Sequence, residues 1–501
     1  MSRNGEDVQW HPNMSLQYFS KVAPVVTGIT PARPIALPTS RAGLIARIEA
    51  SLASTPEAFP CFDFQYPPLA FAERSPRSRA YQSLWSQPSI HGPRAALYVH
   101  IPFCRARCSF CYFTVAANRA SAEIDEYLDA LEQEMHQIAP FVRDREVESL
   151  YWGGGTPTYL TAEQMERLMG SLVHHFDLSH VREFTVESTP TLLDEAKLTT
   201  LRRLGLTRLS MGIQSFDDAT LKRLNRSFER QDIERVVAQA RAQGVQALNL
   251  DLMYGLPEQT LAQWHQGLDR VLEMRIEGVT LYSLDVHEST QFFRKKDSLG
   301  LPAVGIQTQM YREAVDRLQQ AGYTMINRNI FARDPASYRH QNRRWENLPL
   351  IALGASAQSY APGVAYQNYA SIDQYVDALS ENQTAVERAV WLDDDEEFYR
   401  EAVCRLRFSS LELPAFSGRY RQPLLGRFNA LTAALSHMGY LETAGEALQL
   451  TPRGRDYGNL ISMYYFSDAR KQALAAHPGV QQIRQLQALR TVGLTEDANL
   501  T

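Results

Sequence analysis

Cysteine is scarce in this chain, with five residues in 501. That is too few for a disulfide scaffold, yet three of the five crowd into residues 104–111, which points to metal in a reducing compartment. No apolar run approaches the roughly 18 residues a membrane span needs, so no membrane partner is expected. Basic residues are not in excess: 51 Lys and Arg stand against 56 Asp and Glu, a net charge of −5. Nothing therefore draws the whole chain toward nucleic acid or anionic lipid. The start, MSRNGEDVQWHPN, is polar and lacks an apolar signal stretch, so the expected location is the cytoplasm. There is no low-complexity tract and no short-period repeat. What remains, 44% hydrophobic and 21% charged residues, is ordinary globular composition and enough chain for two or three structural units.

Residues 1–92 are proline-rich and irregular, with helical patterning near 41–54. The aromatic stretch FPCFDFQYPPLAF at 59–71 is expected to pack on the main body. From residue 95, short β-rich apolar runs at 96–100, 147–152, 181–187, 207–213, 247–253 and 278–284 alternate with amphipathic stretches near 122–141, 161–176, 193–204, 231–243 and 259–274. Strand and helix in alternation imply an α/β fold with a parallel sheet, open or curled into a barrel, whose active site lies at the C-terminal strand ends. A helix at 307–320 and a strand at 323–330 follow, then an arginine-rich loop leading to ALGASAQSY at 352–360. DDDEE at 393–397 reads as a helix start. Residues 390–500 read as mostly helical, and YLETAGEALQLTPRGRDYG looks like a winged-helix hairpin. No dense basic recognition helix accompanies it, so packing or a lid is the expected role. The expected divisions are 1–92 as an extension packing on a core at 93–305, 306–388 carrying substrate-side loops, and a C-terminal unit at 389–501.

In YVHIPFCRARCSFCYF, Cys104, Cys108 and Cys111 stand at i, i+4 and i+7. Thiolates are soft ligands suited to iron–sulfur clusters. Three on one loop can hold three irons of a cubane and leave the fourth open, where S-adenosylmethionine (SAM) can chelate through its amino and carboxylate groups. A zinc site completed by His100 is the alternative, although zinc favours pairs of C-x2-C. Cys61 and Cys404 lie at no matching spacing and read as small buried hydrophobes. Gly153, Gly154, Gly155, Thr156 and Pro157 follow the second strand; three glycines let a ligand approach exposed amides and carbonyls, unless they simply make a tight turn.

C-x3-C-x2-C after an apolar strand, with an aromatic before its last cysteine, resembles the signature of the radical SAM superfamily. With YWGGGTPTYL, RLSMGIQSF and DLMYGLP, it resembles the oxygen-independent coproporphyrinogen III oxidase (HemN-like) family over about 95–360, with a weaker echo in TPRGRDYGNLI. The resemblance implies a partial (β/α)6 radical SAM barrel with a helical, winged-helix-like C-terminal domain, one [4Fe–4S] cluster and two SAM molecules in one cavity. It also implies roles. Tyr98 and Gly154 face the cluster-bound SAM, and Gly155, Thr156 and Phe110 face the second. Glu187 takes a ribose hydroxyl pair, and Gln214, Arg226 and Asp251 hold the second SAM; Tyr98 and Gln214 are the catalytic candidates. Taken singly, Asp251 reads equally as a helix cap and Arg226 as a surface charge.

The departures point elsewhere. Coproporphyrinogen-oxidising members carry a further cysteine where this chain has Phe113; Ser188 and Thr189 replace an acid after Glu187; Gln358 replaces an apolar side chain. An aromatic after the last cysteine resembles the class C methyltransferase branch. The favoured expectation is therefore a 5′-deoxyadenosyl radical, formed by SAM cleavage, that acts with the second SAM in methyl or methylene transfer to an sp2 carbon (C-methylation or cyclopropanation). The alternatives are coproporphyrinogen oxidation by oxidative decarboxylation, anaerobic haem degradation, or a haem-binding chaperone without radical chemistry. The substrate is an unsaturated natural-product intermediate or a tetrapyrrole, and the electron donor a flavodoxin or ferredoxin. Arg328, Arg333, Arg339, Arg343 and Arg344 either grip propionates or form a solvated loop.

Overall fold

The computed structural model describes residues 40–53, 66–68, 72–74, 81–286, 289–408 and 410–476. Most of the 59–71 stretch lies outside them. Six strands follow one another in parallel: β1 (Arg94–Ile101), β2 (Glu146–Gly154), β3 (Glu183–Ser188), β4 (Arg208–Gln214), β5 (Ala247–Tyr254) and β6 (Gly278–Ser283). Between them run α1 (Ser121–Val142), α2 (Ala162–His175), α3 (Glu195–Arg203), α4 (Arg230–Ala242) and α5 (Leu261–Glu273). Their starts are legible: Thr161 and Thr260 close capping boxes with Gln164 and Gln263, and Asp194 caps α3, each satisfying amides that a helix start leaves orphaned.

The sheet goes further than six strands. After α6 (Val304–Gln320) the chain adds the antiparallel hairpin β7 (Thr324–Met325) and β8 (Ile330–Ala332) beyond β6. It then crosses to the other edge, where β9 (Leu350–Leu353) joins β1 in parallel. The antiparallel strands β10 (Gln358–Ala361), β11 (Val364–Asn368) and β12 (Val386–Trp391), and the short strand Glu73–Arg74, complete a 13-stranded open sheet. Short hairpins explain why single runs at 323–330 and 352–360 break into separate strands.

The two largest apolar clusters among the described residues organise the fold. The larger packs the outer side chains of the sheet, such as Leu150, Trp152, Val186, Leu209 and Leu250, under the helices. The second gathers Phe398, Phe416, Phe428, Leu448 and Tyr464 with Leu44, Ile48 and Leu52 of helix Arg41–Ala53. That corrects one expectation. Tyr81, Leu84 and Trp85 do join the barrel core, but helix 41–53 buries its apolar stripe in the C-terminal cluster. There, a three-stranded antiparallel sheet (Ser410–Glu412, Leu441–Ala444, Ala447–Leu450) sits with helices Leu413–Tyr420 and Leu424–His437, so the expected wing is present. Helix Asp394–Phe408 opens on four acids. Among the described residues, no helix is long and apolar enough to cross a membrane.

Candidate functional site

Where β1 ends, the chain turns into the cysteine loop. Phe103–Cys104 pairs with Ala116–Ala117, the Asn118 amide donates to the Cys104 carbonyl (2.9 Å), and the Cys111 amide to that of Cys108 (3.1 Å). The Arg107 guanidinium donates twice to the Cys111 carbonyl, at 3.2 and 3.3 Å. All three thiols are free and half-buried, with the Thr156 hydroxyl 3.6 Å from Cys104 Sγ. Burial pushes the Cys104 thiol up to about 12, with Cys111 and Cys108 raising it further, and the Cys111 thiol up to about 11, with Cys108 raising it further. Buried thiols of this kind become thiolates only against nearby positive charge, which iron supplies on binding. Among the described residues, His, Cys, Asp and Glu side chains nowhere gather in threes round one ion-sized point.

The glycine run at the end of β2 is a crossing point. A Cβ on Gly155 would meet the Phe103 carbonyl at 2.7 Å and Cys104 Sγ at 3.0 Å. Gly154, at φ +116°, would meet the His100 ring at 2.7 Å. This is close backbone approach to the cysteine loop, beyond what a tight turn needs. The expectation of open amides is corrected: Gly155 donates to Ile101 (2.9 Å), Thr156 to Phe103 (2.8 Å) and Gly154 to Glu187 Oε2 (3.0 Å). Tyr98 stacks on Tyr151 with centroids 5.9 Å apart, and its hydroxyl pairs with His100 Nδ1 at 3.0 Å.

Strands β2–β6 carry a polar inner face. Ser149, Tyr151 and Gly153 alternate with Leu150 and Trp152; Glu183, Thr185 and Glu187 with Phe184 and Val186; Arg208, Ser210 and Gly212 with Leu209 and Met211; Asn249 and Asp251 with Leu250 and Leu252. At the upper end of this face, Gln214, Arg226 and Asp251 converge. A Cβ on Gly212 would lie 3.0 Å from the Gln214 amide, 3.5 Å from the Arg226 guanidinium and 4.0 Å from the Asp251 carboxylate. Gln214 sits at φ +67° after a register slip in β4, a bulge that re-aims its side chain. Its buried Oε1, like Arg226 Nε, finds no hydrogen-bond partner among the described residues. The guanidinium lies 5.6 Å from the Phe110 ring and 5.8 Å from that of Phe228, and Phe110 packs against Leu224, Met253 and Phe292. Arg226 is thus no solvated surface charge, and Asp251 lies within β5, not at a helix start.

Two carboxylates face each other here. Burial, then the charge of Glu187, pushes Asp251 up to about 7, against hydrogen bonds from Thr280 and Asn249. Glu187 is raised by burial, although the Tyr151 hydroxyl (2.7 Å) and the Gly154 amide donate to it.

Below the acids lies support that sequence reading missed. Asn249 donates to Asp251 (2.8 Å), Ser210 (2.9 Å) and Thr280 (3.0 Å) while accepting from the Tyr338 hydroxyl (2.6 Å). Arg208 donates to Glu183 (2.6 Å) and lies 3.9 Å from the Tyr338 ring centroid. His340 pairs with Ser149 (3.1 Å), takes Glu183 on its amide (2.8 Å) and packs on Tyr151, centroids 4.9 Å apart. Arg208, Glu183 and Gly278 are the first residues of their strands. The segment bearing Tyr338 and His340, where the short helix Arg339–Trp345 begins, therefore plugs the N-terminal end of the sheet, opposite the cysteines. That corrects its placement as a substrate-side loop. Two of its arginines are engaged: Arg328 bonds the Asp456 carbonyl, and Arg333 lies over Tyr323 and donates to Ala321. Arg339 is half-buried, and the side chains of Arg343 and Arg344 lie outside the described set. The signal was available, because parallel strands are normally apolar on both faces and these alternate.

The model of the radical SAM superfamily matches residues 98–271. The chain is 31% identical to the oxygen-independent coproporphyrinogen III oxidase of Salmonella typhimurium over 396 residues, 75% of this chain and 86% of that protein. It is 30% identical to the heme chaperone HemW of Bacillus subtilis over 368 residues, 73% of this chain and 97% of that protein. The solved structure of the Escherichia coli coproporphyrinogen III oxidase HemN, a radical SAM enzyme, aligns with a TM-score of 0.72 at 28% identity, covering 80% of this chain and 96% of that one. Proteins of this superfamily work with a [4Fe–4S] cluster and SAM, and three free, half-buried cysteines on one loop fit that cluster. By these likenesses the chain belongs to the radical SAM superfamily, in the family of the HemN-type coproporphyrinogen oxidases and the HemW chaperones.

Proposed function

We propose that this protein is a radical SAM enzyme of tetrapyrrole metabolism that oxidatively decarboxylates a porphyrinogen propionate to a vinyl group. The carrying observation is the likeness to coproporphyrinogen III oxidase along 86% of the Salmonella protein, together with a barrel end that keeps the family's candidate SAM groups side by side. When bound, the cluster would supply the electron that cleaves SAM and so generates the hydrogen-abstracting radical; the substrate then loses carbon dioxide and passes one further electron to a one-electron acceptor. In this reading Cys104, Cys108 and Cys111 hold the cluster. Tyr98, Gly154 and Glu187 orient the first SAM, while Gly155, Thr156, Phe110, Gln214, Arg226 and Asp251 shape the place of a second. Arg226 suits a carboxylate and the acids suit ribose hydroxyls. The polar inner face and its plug keep these groups oriented and bulk water out.

Methyl or methylene transfer, expected first from Phe113, has less support: the matched relatives named above are an oxidase and a chaperone. Phe113 favours a second reading instead, haem handling without decarboxylation. It is 47% exposed at the position where, by resemblance, coproporphyrinogen-oxidising members carry a cysteine. Product analysis after anaerobic reduction with SAM and coproporphyrinogen III separates the readings. Carbon dioxide, a vinyl product and 5′-deoxyadenosine are expected. Haem retention with no 5′-deoxyadenosine would establish the chaperone reading, and S-adenosylhomocysteine with a one-carbon mass gain would restore methyl transfer.

A further inference from the structure

We propose that a basic rim round the cysteine loop is the docking surface for an acidic one-electron carrier protein. The inference rests on the cluster reading, since a cluster enclosed by protein must take each electron from outside.

Three segments meet at this loop. The Ser109 amide donates to the Leu224 carbonyl (3.1 Å), Asn225 Nδ2 to the Arg107 carbonyl (2.8 Å), and the Phe292 amide to the Ser109 carbonyl (3.2 Å). Phe110, Leu224, Phe292 and Leu299 pack beneath them as one apolar patch. These bonds bring Arg105 and Arg107, Lys222, and the short helix Phe293–Ser298 with Arg294, Lys295 and Lys296 onto one surface. All but Arg107 are exposed, and it is half-buried. Near these cations Asp297 is the acid on the short helix Phe293–Ser298, while Asp217 and Asp218, at the far end of the helix bearing Lys222, accept from the Thr220 and Arg230 amides, and Glu258 is paired with Arg223 at 3.0 Å. In a chain of net charge −5, this is a local inversion of sign.

Position adds to charge. Arg105 and Ala106 are exposed while Cys104 and Cys111 are half-buried on the same loop, so the rim covers the place where the cluster ligands come nearest to solvent. Arg226, the neighbouring cation that turns inward to Gly212, belongs to the site. Arg105, Lys222, Lys295 and Lys296 are exposed on the outer surface, which suits a macromolecule better than a carboxylate-bearing substrate inside the barrel. Transient redox partners use small, charge-steered, salt-sensitive contacts. In the step this surface serves, the reduced carrier loses one electron and the oxidised cluster gains it; no bond is made or broken.

The test uses iron- and sulfide-reconstituted full-length protein and a labelled, small acidic [2Fe–2S] ferredoxin. Wild type should bind it about tenfold more tightly at roughly 20 mM than at 300 mM salt. The variant R105E/K295E/K296E should lose about tenfold in affinity at low salt, and as much in the rate of cluster reduction by the ferredoxin. Brown absorbance and reduction by dithionite should not change. If the triple variant misfolds, K295Q/K296Q, which alters only exposed side chains, should show a smaller loss of the same kind. Equal binding by variant and wild type, or no salt dependence, overturns the proposal. So does loss of coproporphyrin binding with ferredoxin binding intact, which would make the rim a substrate site. A wild type that takes up no iron and sulfide marks failure of the cluster reading instead.

Discussion

Asp251 is the residue on which chemistry and packing pull hardest against each other. Burial and the facing Glu187 raise it to about 7, while Asn249 and Thr280 hold it in place. If Asp251 lies beside SAM as proposed, its ionised form attracts the cofactor's sulfonium and ammonium and its protonated form does not. SAM affinity in wild type should therefore rise roughly tenfold from about pH 6 to pH 8. Asp251→Asn should bind weakly and with no such rise, as read by equilibrium dialysis on reconstituted protein. An unchanged pH profile in the variant would remove Asp251 from the SAM site. Glu134 titrates in the same range for another reason. Fully buried in α1, it accepts from the Tyr81 and Tyr375 hydroxyls, the Gly354 amide and Asn368, and burial pushes it up to about 7. A folded value above the ordinary carboxyl value gives stability that is complete below about pH 4 and lost as pH rises through about 7. Glu134→Gln turns an amide N–H toward a donor and should cost about 2–4 kcal/mol near neutrality. It should also flatten that pH slope, measured by urea unfolding. A variant as stable as wild type with the slope intact would contradict this.

At the scale of elements, the strands are unusual in being apolar on one face and polar on the other. The plug segment completes the polar one. Tyr338→Phe removes the hydroxyl that orients Asn249, and so acts on Asp251 at one remove. The loss should be about 1–2 kcal/mol, five- to thirtyfold in SAM affinity, with iron content and first-electron reduction unchanged. A loss of iron together with affinity would point to general unfolding. The strands β1–β6, their helices and the cysteine loop were legible because period, caps and spacing are local signals. Gln214 and Arg226 both precede Asp251 by more than twenty residues of chain, and only the family resemblance placed them together. The plug was missed since the contacts of Tyr338 and His340 join positions 89 and 191 residues apart, and no periodicity carries such pairing. Helix 41–53 was misassigned for the same reason: its apolar stripe states that it packs, not on what.

Taken whole, the molecule is polarised. Cysteines, glycine run and carboxylates occupy the C-terminal ends of the parallel strands, the plug seals the other ends, and the C-terminal unit is anchored by Glu397, which accepts from Tyr360 (2.6 Å) and the Gly363 amide (2.7 Å). On the proposed function, electrons, SAM and substrate would all enter at that one end. The most direct measurement is anaerobic reconstitution followed by dithionite reduction with SAM, in wild type and Cys108→Ala. Wild type should hold about four irons and four sulfides per chain and release 5′-deoxyadenosine and methionine in equal amounts, and the variant should do neither. Stoichiometric zinc without sulfide in wild type, or SAM cleavage that survives the loss of Cys108, would contradict the account at its root.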